Sequence, residues 1–338
     1  MPGKHEICQM FDSKDTSTEV EPNFTTVSTG LGQPEISILM PVWNCEPFIT
    51  DALTSILNQT EVVAEILVSD DASTDQTYLL ALCAIEEWLK HSKPTHIVRI
   101  RKNRIRQRRH HFNQLVRHST CDIVFEAHGD DISLPGRAAI LRDLLNRSDL
   151  EAAMVFSEAI LIDEKGIILD EPSNQIKPLE LALCNPEVFL EENTSLIGAS
   201  MAWKKSSLSK FSVPEEVMAA AGHDRIRAFR GSLAGNVYWL SSQLYYRRLH
   251  AANLHKISYS EPKETNNAFG RNLIRMSFFS AMKKDTKIAH DLGLIDVLLY
   301  ESLLTRINEN CELCSSWLLN AFKDLTDSGY KIHWNHGD

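Results

Sequence analysis

Apolar runs rich in β-branched residues, each stopping at a polar or acidic turn, restrict this chain to one kind of architecture. They are ISILMPV (36–42), VVAEILVSD (62–70) and DIVFEAH (122–128), with a shorter HIVRI (96–100) before the last. Strands this continuously apolar bury both faces, as in parallel sheets. Between the first two, Phe48, Ile49, Leu53, Ile56 and Leu57 recur at helical spacing after Pro47, and segments 76–90 and 110–118 have the same character. Strands alternating with helices predict an α/β fold whose mostly parallel sheet is covered on both faces. In such sheets ligands collect outside the carboxyl ends of the strands, where loops meet helix N-termini.

Two of those ends are acidic. The second strand runs into Asp70 and Asp71, with Asp75 close behind, and the fourth reaches Asp130 and Asp131 after Gly129. Ser73 and Asp75 are accounted for by a turn and the start of the next helix. The adjacent carboxylates are not, because like charges repel unless a ligand or solvent stabilises them. Paired carboxylates are hard oxygen ligands suited to Mg²⁺ or Mn²⁺, and Mg²⁺ typically combines one or two of them with substrate phosphates. Gly129 would let the backbone approach a ligand closely. Aspartates that only make a turn soluble are the plain alternative for either pair taken alone.

With 338 residues, 43% of them hydrophobic, the chain can bury a large core, and its formal charge of −10 argues against a nucleic-acid coat. No run approaches the ~18 apolar residues of a membrane span. The polar start MPGKHEICQMFDSKDTSTE lacks the apolar centre of a signal peptide, so a cytoplasmic protein is expected. Seven scattered cysteines read as thiols, and Cys311 and Cys314 have no second pair with which to complete a zinc site. Residues 1–33 predict a flexible lead-in. Segments 269–284, 292–307 and 315–325 read as amphipathic helices, forming a C-terminal helical appendage over 257–338. The first of them carries Arg271, Arg275, Lys283 and Lys284 among Phe and Met, so it either packs on the core or touches a membrane surface.

SILMPVWNCEPFITDALTSILNQT, ILVSDDASTDQT and DIVFEAHGDDISLPGR, in that order, resemble the nucleotide-binding half of the family 2 glycosyltransferases with the GT-A (Rossmann-like) fold. IGASMAWKKSSLSKF (197–211), AGHDRIRAFRGSLAG (221–235) and LYYRRLHAANLH (244–255) extend the likeness, which makes 34–256 the GT-A domain. The resemblance implies an inverting, metal-dependent transfer from a nucleotide-diphosphate sugar, a UDP-sugar being the leading candidate. The acceptor would be a glycan or lipid-linked hydroxyl in surface polysaccharide or lipid-linked glycan synthesis, with peripheral contact at the inner face of the membrane. Pro41 and Trp43 would flank the base, with Asn44 in the same donor-binding loop. Asp71, or else Asp70, would accept a hydrogen bond from the base. Asp130 would hold the ribose or share the Mn²⁺ or Mg²⁺ bound by Asp131. His250 would approach the diphosphate or the metal.

Asp224 would be the general base that the acceptor hydroxyl requires, while the metal offsets charge on the leaving diphosphate. The family's acidic pair reads His223-Asp224 here, and His128 stands where the frequent D-A-D-D pattern has its first aspartate. No acidic residue occurs from Lys90 to Cys121, and RIRKNRIRQRRHH (99–111) holds seven Lys or Arg. With Phe112 as its sole aromatic, this stretch is not a nucleic-acid patch but an anion-facing loop beside the crevice. Arg106, Arg108 and Arg109 lie near the position where related enzymes place an arginine on the nucleotide. Two alternatives stay open. A nucleotidyltransferase shares the fold, although MPVWNCEPF lacks its glycine-rich loop. A catalytically idle binding module would account for His128 and His223.

Overall fold

A computed structural model of the chain describes residues 23–28, 35–59, 63–92, 96–107, 109–169, 180–191, 196–211, 223–251 and 265–327. The elements, in chain order, begin with β1 (Thr25–Ser28), β2 (Ile36–Val42), α1 (Ile49–Leu57), β3 (Val63–Asp70), α2 (Thr77–His91), β4 (Ile97–Lys102) and α3 (Arg109–His118). Next come β5 (Ile123–Glu126), β6 (Ile132–Ser133), α4 (Arg137–Asn146), β7 (Ala152–Ile162), β8 (Leu181–Leu183), β9 (Met201–Lys204) and α5 (Lys205–Leu208). The described chain closes with α6 (His223–Ala234), β10 (Asn236–Arg248), α7 (Thr265–Asp291) and α8 (Val297–Asp327).

The strands form one sheet in the order β1-β4-β3-β2-β5-β9-β7-β10-β6, with β8 also on β10. β2, β3, β4, β5, β7 and β10 share one direction, and β1, β6, β8 and β9 run against it. The sheet is therefore mostly parallel, as the apolar runs predict. Every residue of β3 is buried, as are all of β2 except Pro41, because α1 and α2 cover one face while α3 and α6 cover the other. Glu65 tolerates this interior because its carboxylate accepts from Ser37 Oγ at 2.6 Å and Thr120 N at 2.5 Å, with Arg99 3.5 Å away.

Two expectations change. Residues 1–33 are not all lead-in: Thr25–Ser28 adds an antiparallel edge strand to β4, and Phe24 packs edge-on against His118 beneath the Arg101 guanidinium. The rest of that segment lies outside the described residues. Among the described residues the C-terminal helices are two, not three, because NENCELC (308–314) contains neither Gly nor Pro and α8 runs through it. The break falls earlier, at Gly293 in the left-handed region (φ 67°), and Asp296 accepts Leu299 N at 2.8 Å to start α8.

The C-terminal helices share a core with the sheet domain. Phe278, Phe279, Met282, Leu303 and Ile307 are buried in the same core as Trp203, Phe229 and Phe112 of the sheet domain. Arg230 of α6 also forms a buried two-point ion pair with Asp285 of α7, at 2.7 and 3.2 Å. The central part of segment 269–284 therefore packs on the core.

Burial leaves a pH signature away from the candidate site. His96 is 1% exposed and stacks on Trp88 at 5.0 Å, and burial pulls its imidazole down to about 4. Between pH 4 and 6.5 the unfolded chain binds the proton that the native state refuses, so this contribution is lost as pH falls through that window. By pH 5 the group should cost the wild type about 2 kcal/mol relative to pH 7.5. His96→Phe should remove that share of the acid sensitivity, read from urea unfolding at the two pH values. An identical pH dependence in variant and wild type would show that His96 titrates normally.

Candidate active site

The carboxyl ends of β3 and β5 flank that of β2. Val42 pairs with Asp70 in register, and Leu39 O accepts Ala127 N at 2.9 Å, so both acidic turns meet around the loop that follows β2. Cys45 lies between them, and burial together with the charges of Asp130, Asp75 and Asp70 pushes its thiol up to about 12. Gly129 serves this convergence rather than a ligand: a Cβ there would stand 2.9 Å from both Cys45 Sγ and Val42 Cγ1. Only glycine lets the Asp130 turn close against β2.

The first acidic pair is organised by the protein itself. Asp70 is fully buried and accepts Ser73 N at 2.7 Å; burial raises its pKa, partly offset by those Ser73 hydrogen bonds. Asp71 accepts Asn103 Nδ2 at 3.0 Å and Gln107 N at 2.7 Å, which fastens the basic loop to the end of β3. Protein donors thus supply the stabilisation that two adjacent carboxylates require. Asp75 accepts Thr77 N at 3.0 Å at the start of α2. Asn44, in the left-handed region (φ 49°) that asparagine tolerates, takes Thr74 N on Oδ1 at 2.9 Å and gives its own N–H to Ser73 Oγ.

Beside it, the half-buried Trp43 ring carries the Arg106 guanidinium 3.2 Å from its centroid. Of the seven cations in the basic stretch, Arg99 faces Glu65 and Arg101 is buried on Ser69 and Gln114. Lys102, Arg104 and Arg106 are exposed. The loop is thus less surplus charge than its composition suggests. Arg109 opens α3, its side chain lying outside the described residues, as does Arg108 altogether.

The second pair is pinned from the opposite side. Arg248 N donates to Asp131 Oδ1 at 2.9 Å, and its guanidinium bonds Asp130 O and the carbonyls of Asp163 and Glu164 while lying over Phe48. His250 Nε2 lies 3.0 Å from Asp130 Oδ2 and lines a cleft of about 390 Å³ shared with Asp163, Glu164 and Lys165. Burial and the Asp130 charge push Asp131 up to about 6. Burial also opposes ionisation of Asp130, but the His250 hydrogen bond and the charges of His128 and His250 outweigh it and hold its carboxyl low.

His128, read in the sequence only as a departure, belongs to this group. Among the described residues, His128, Asp130 and Asp131 each offer one ligand atom within 4.8 Å of the others. Its Nε2 meets Glu126 at 3.1 Å and Nδ1 faces Asp131 at 3.9 Å. Burial would lower the imidazole pKa, yet the Glu126 bond and the charges of Glu126, Asp131 and Asp130 take it to about 9. Two carboxylates and an imidazole whose far nitrogen rests on a carboxylate fit a divalent ion, and suit Mn²⁺ at least as well as Mg²⁺.

Asp224 stands one residue into α6, half-buried. It accepts Gly198 N at 2.9 Å and Arg227 Nη2, and Arg227 Nη1 reaches Glu126 at 2.8 Å. His128, Glu126, Arg227 and Asp224 therefore form one continuous chain of contacts. Glu126 and Arg227 went unnoticed in the sequence. The available signal was a glutamate inside an apolar strand and an arginine one turn beyond the candidate base, charges that need buried partners.

Residues 37–198 match the Glycosyl transferase family 2 domain. EpsE of Bacillus subtilis, named as a glycosyltransferase, is 30% identical over 105 residues, 31% of this chain and 36% of that one. Chondroitin synthase of Escherichia coli is 28% identical over 141 residues, 42% of this chain and 19% of that one. The chain thus spans well under two thirds of these relatives' length. Staphylococcus aureus TarS 1–349, solved with UDP-GlcNAc, superposes with a TM-score of 0.54 over 90% of this chain and 95% of its own, at 12% identity. A Pyrobaculum calidifontis mannosyltransferase, solved with GDP-Man and Mn²⁺, gives 0.50 over 93% and 80%, at 15% identity. These two likenesses show the fold. Over residues 37–198 the chain is therefore similar to the family 2 glycosyltransferases, and its sheet and helices have the GT-A fold.

Proposed function

We propose that the protein transfers a sugar from a nucleotide-diphosphate sugar to an acceptor hydroxyl, with inversion, using a divalent ion and Asp224 as general base. The observation that carries this reading is the convergence of His128, Asp130 and Asp131 at the end of β5, joined through Glu126 and Arg227 to Asp224. A metal-binding group and a separately anchored carboxylate are what the two halves of the reaction need. The similar structures solved with UDP-GlcNAc and with GDP-Man and Mn²⁺ support such a donor and ion here.

Asp130 and Asp131, with His128, would hold Mn²⁺ or Mg²⁺, which when bound supplies positive charge opposite the leaving diphosphate. His250 keeps Asp130 oriented, and Arg248 keeps Asp131 oriented through its backbone N–H. The half-buried Pro41 and the Trp43 ring would form the wall against which the base lies, and Asp71, whose Oδ1 already accepts from Asn103 and Gln107, would accept the base's hydrogen bond on its other oxygen. Asp70, fully buried, shapes the loop that presents Asp71. Asp224 takes the acceptor proton as the hydroxyl attacks the anomeric carbon from the face opposite the diphosphate. The transfer is then a single displacement, in which the bond to the acceptor oxygen forms as the bond to the diphosphate breaks. The exposed Lys102, Arg104 and Arg106 supply an anion-facing rim, and a glycan or lipid-linked acceptor of surface polysaccharide synthesis would suit it.

Purified protein with Mn²⁺ and a panel of UDP-, GDP-, CMP- and dTDP-sugars tests the reading. One donor should raise the melting temperature and release its nucleotide slowly. Neither effect with any donor would remove the assignment. Trp43→Ala should weaken binding of that nucleotide about tenfold or more, since stacking a base on an aromatic ring is worth ~1–3 kcal/mol. Calorimetric titration reads this directly, and unaltered affinity would move the base elsewhere.

A further inference from the structure

Glu126 and Arg227 occupy the space between the two halves of the site. Arg227, one turn after Asp224 on α6, is buried, with its guanidinium over the Phe112 ring at 4.5 Å and the Trp203 ring at 5.1 Å. Nη2 donates to Asp224 Oδ1, and Nη1 to Glu126 Oε2 at 2.8 Å. Glu126 ends β5 equally buried, and its other oxygen lies 3.1 Å from His128 Nε2. Gly198 closes the arrangement: its N–H donates to Asp224 Oδ2, and a Cβ on it would stand 2.8 Å from Glu126 Oε2.

We propose that Glu126 and Arg227 are positioning residues: Arg227 sets the orientation of the Asp224 carboxylate, and Glu126 is the junction that ties this base to the metal-side imidazole of His128. The inference rests on the glycosyl-transfer reading above. A planar guanidinium fixed by two rings presents its N–H groups in set directions, which a flexible lysine ammonium does not. Asp224 is held from both oxygens, one by Arg227 and one by Gly198. His128 is turned so that Nδ1, not Nε2, faces Asp131. A buried arginine between carboxylates adds little stability, because desolvation offsets most of the attraction. Orientation is what the arrangement supplies.

The two residues then differ in reach. Arg227→Gln should lower kcat at least tenfold while the donor KM and the Mn²⁺ dissociation constant, the latter read by electron paramagnetic resonance without turnover, stay within twofold. Arg227→Lys should recover only part of kcat. Glu126→Gln should lower kcat and also weaken Mn²⁺ binding several-fold, because it loosens His128. Should Arg227→Gln fail to fold, the double Glu126→Gln/Arg227→Gln variant removes opposite charges together and carries the test through its kcat. Wild-type kcat in the Arg227 variants, or a parallel fall in donor and Mn²⁺ affinity on Arg227→Gln, would overturn the proposal. An unaltered Mn²⁺ affinity in Glu126→Gln would remove the junction to His128. A wild type that turns over no donor would instead remove the glycosyl-transfer reading, and this inference with it.

Discussion

Replacing Asp131 with asparagine or alanine is expected to abolish Mn²⁺-dependent nucleotide release, by about 10³-fold or more, while the protein stays folded. The scale follows from losing several kcal/mol of charge stabilisation at a leaving diphosphate, where each 1.4 kcal/mol is tenfold in rate. The fold should survive because burial and Asp130 already penalise the Asp131 charge, which lifts its pKa to about 6. Asparagine keeps an oxygen for Arg248 N, now accepted by Asp131 Oδ1 at 2.9 Å, whereas alanine leaves that amide without it. The two variants should therefore be equally inactive but unequal in melting temperature. Turnover near the wild-type rate in Asp131→Asn would take the residue out of the metal site.

Asp224→Asn should leave donor binding intact and lower turnover by about 10² to 10⁴, the usual contribution of a general base. The amide oxygen can still accept Gly198 N, so the loop before β9 keeps its anchor. What is lost is the ability to take a proton, together with the negative partner of Arg227. Donor affinity from calorimetry and kcat from nucleotide release separate these effects. If affinity and kcat fell together, Asp224 would be a structural residue of α6 and the proton would have to leave by another group.

The candidate site was partly legible in the chain because strand ends are readable. Apolar runs that stop at Asp70 and Asp130 locate the crevice edge without any structure, since a parallel sheet can present charge only where its strands end. His128 shows where this reading stopped. Along the chain His128 is only a departure from the D-A-D-D pattern, whereas the fold brings its imidazole among Glu126, Asp130 and Asp131. The C-terminal helices show a second limit, since helical periodicity marks an apolar face but not what covers it. That Phe278 and Met282 share a core with Trp203 depends on α7 meeting α6 across the Arg230–Asp285 pair.

What the sequence determined by itself is therefore the local part: the α/β alternation and the acidic turns that follow β3 and β5. Backbone periodicity and strand-end charge depend on neighbours a few residues apart, so they can be read along the chain. Only the tertiary structure decided which charges meet. Glu126 and Arg227 are 101 residues apart, and Asp131 and Arg248 are 117 apart. Pairings at such separation are set by sheet order and helix packing, because a buried charge is tolerated only where the folded chain brings it a partner.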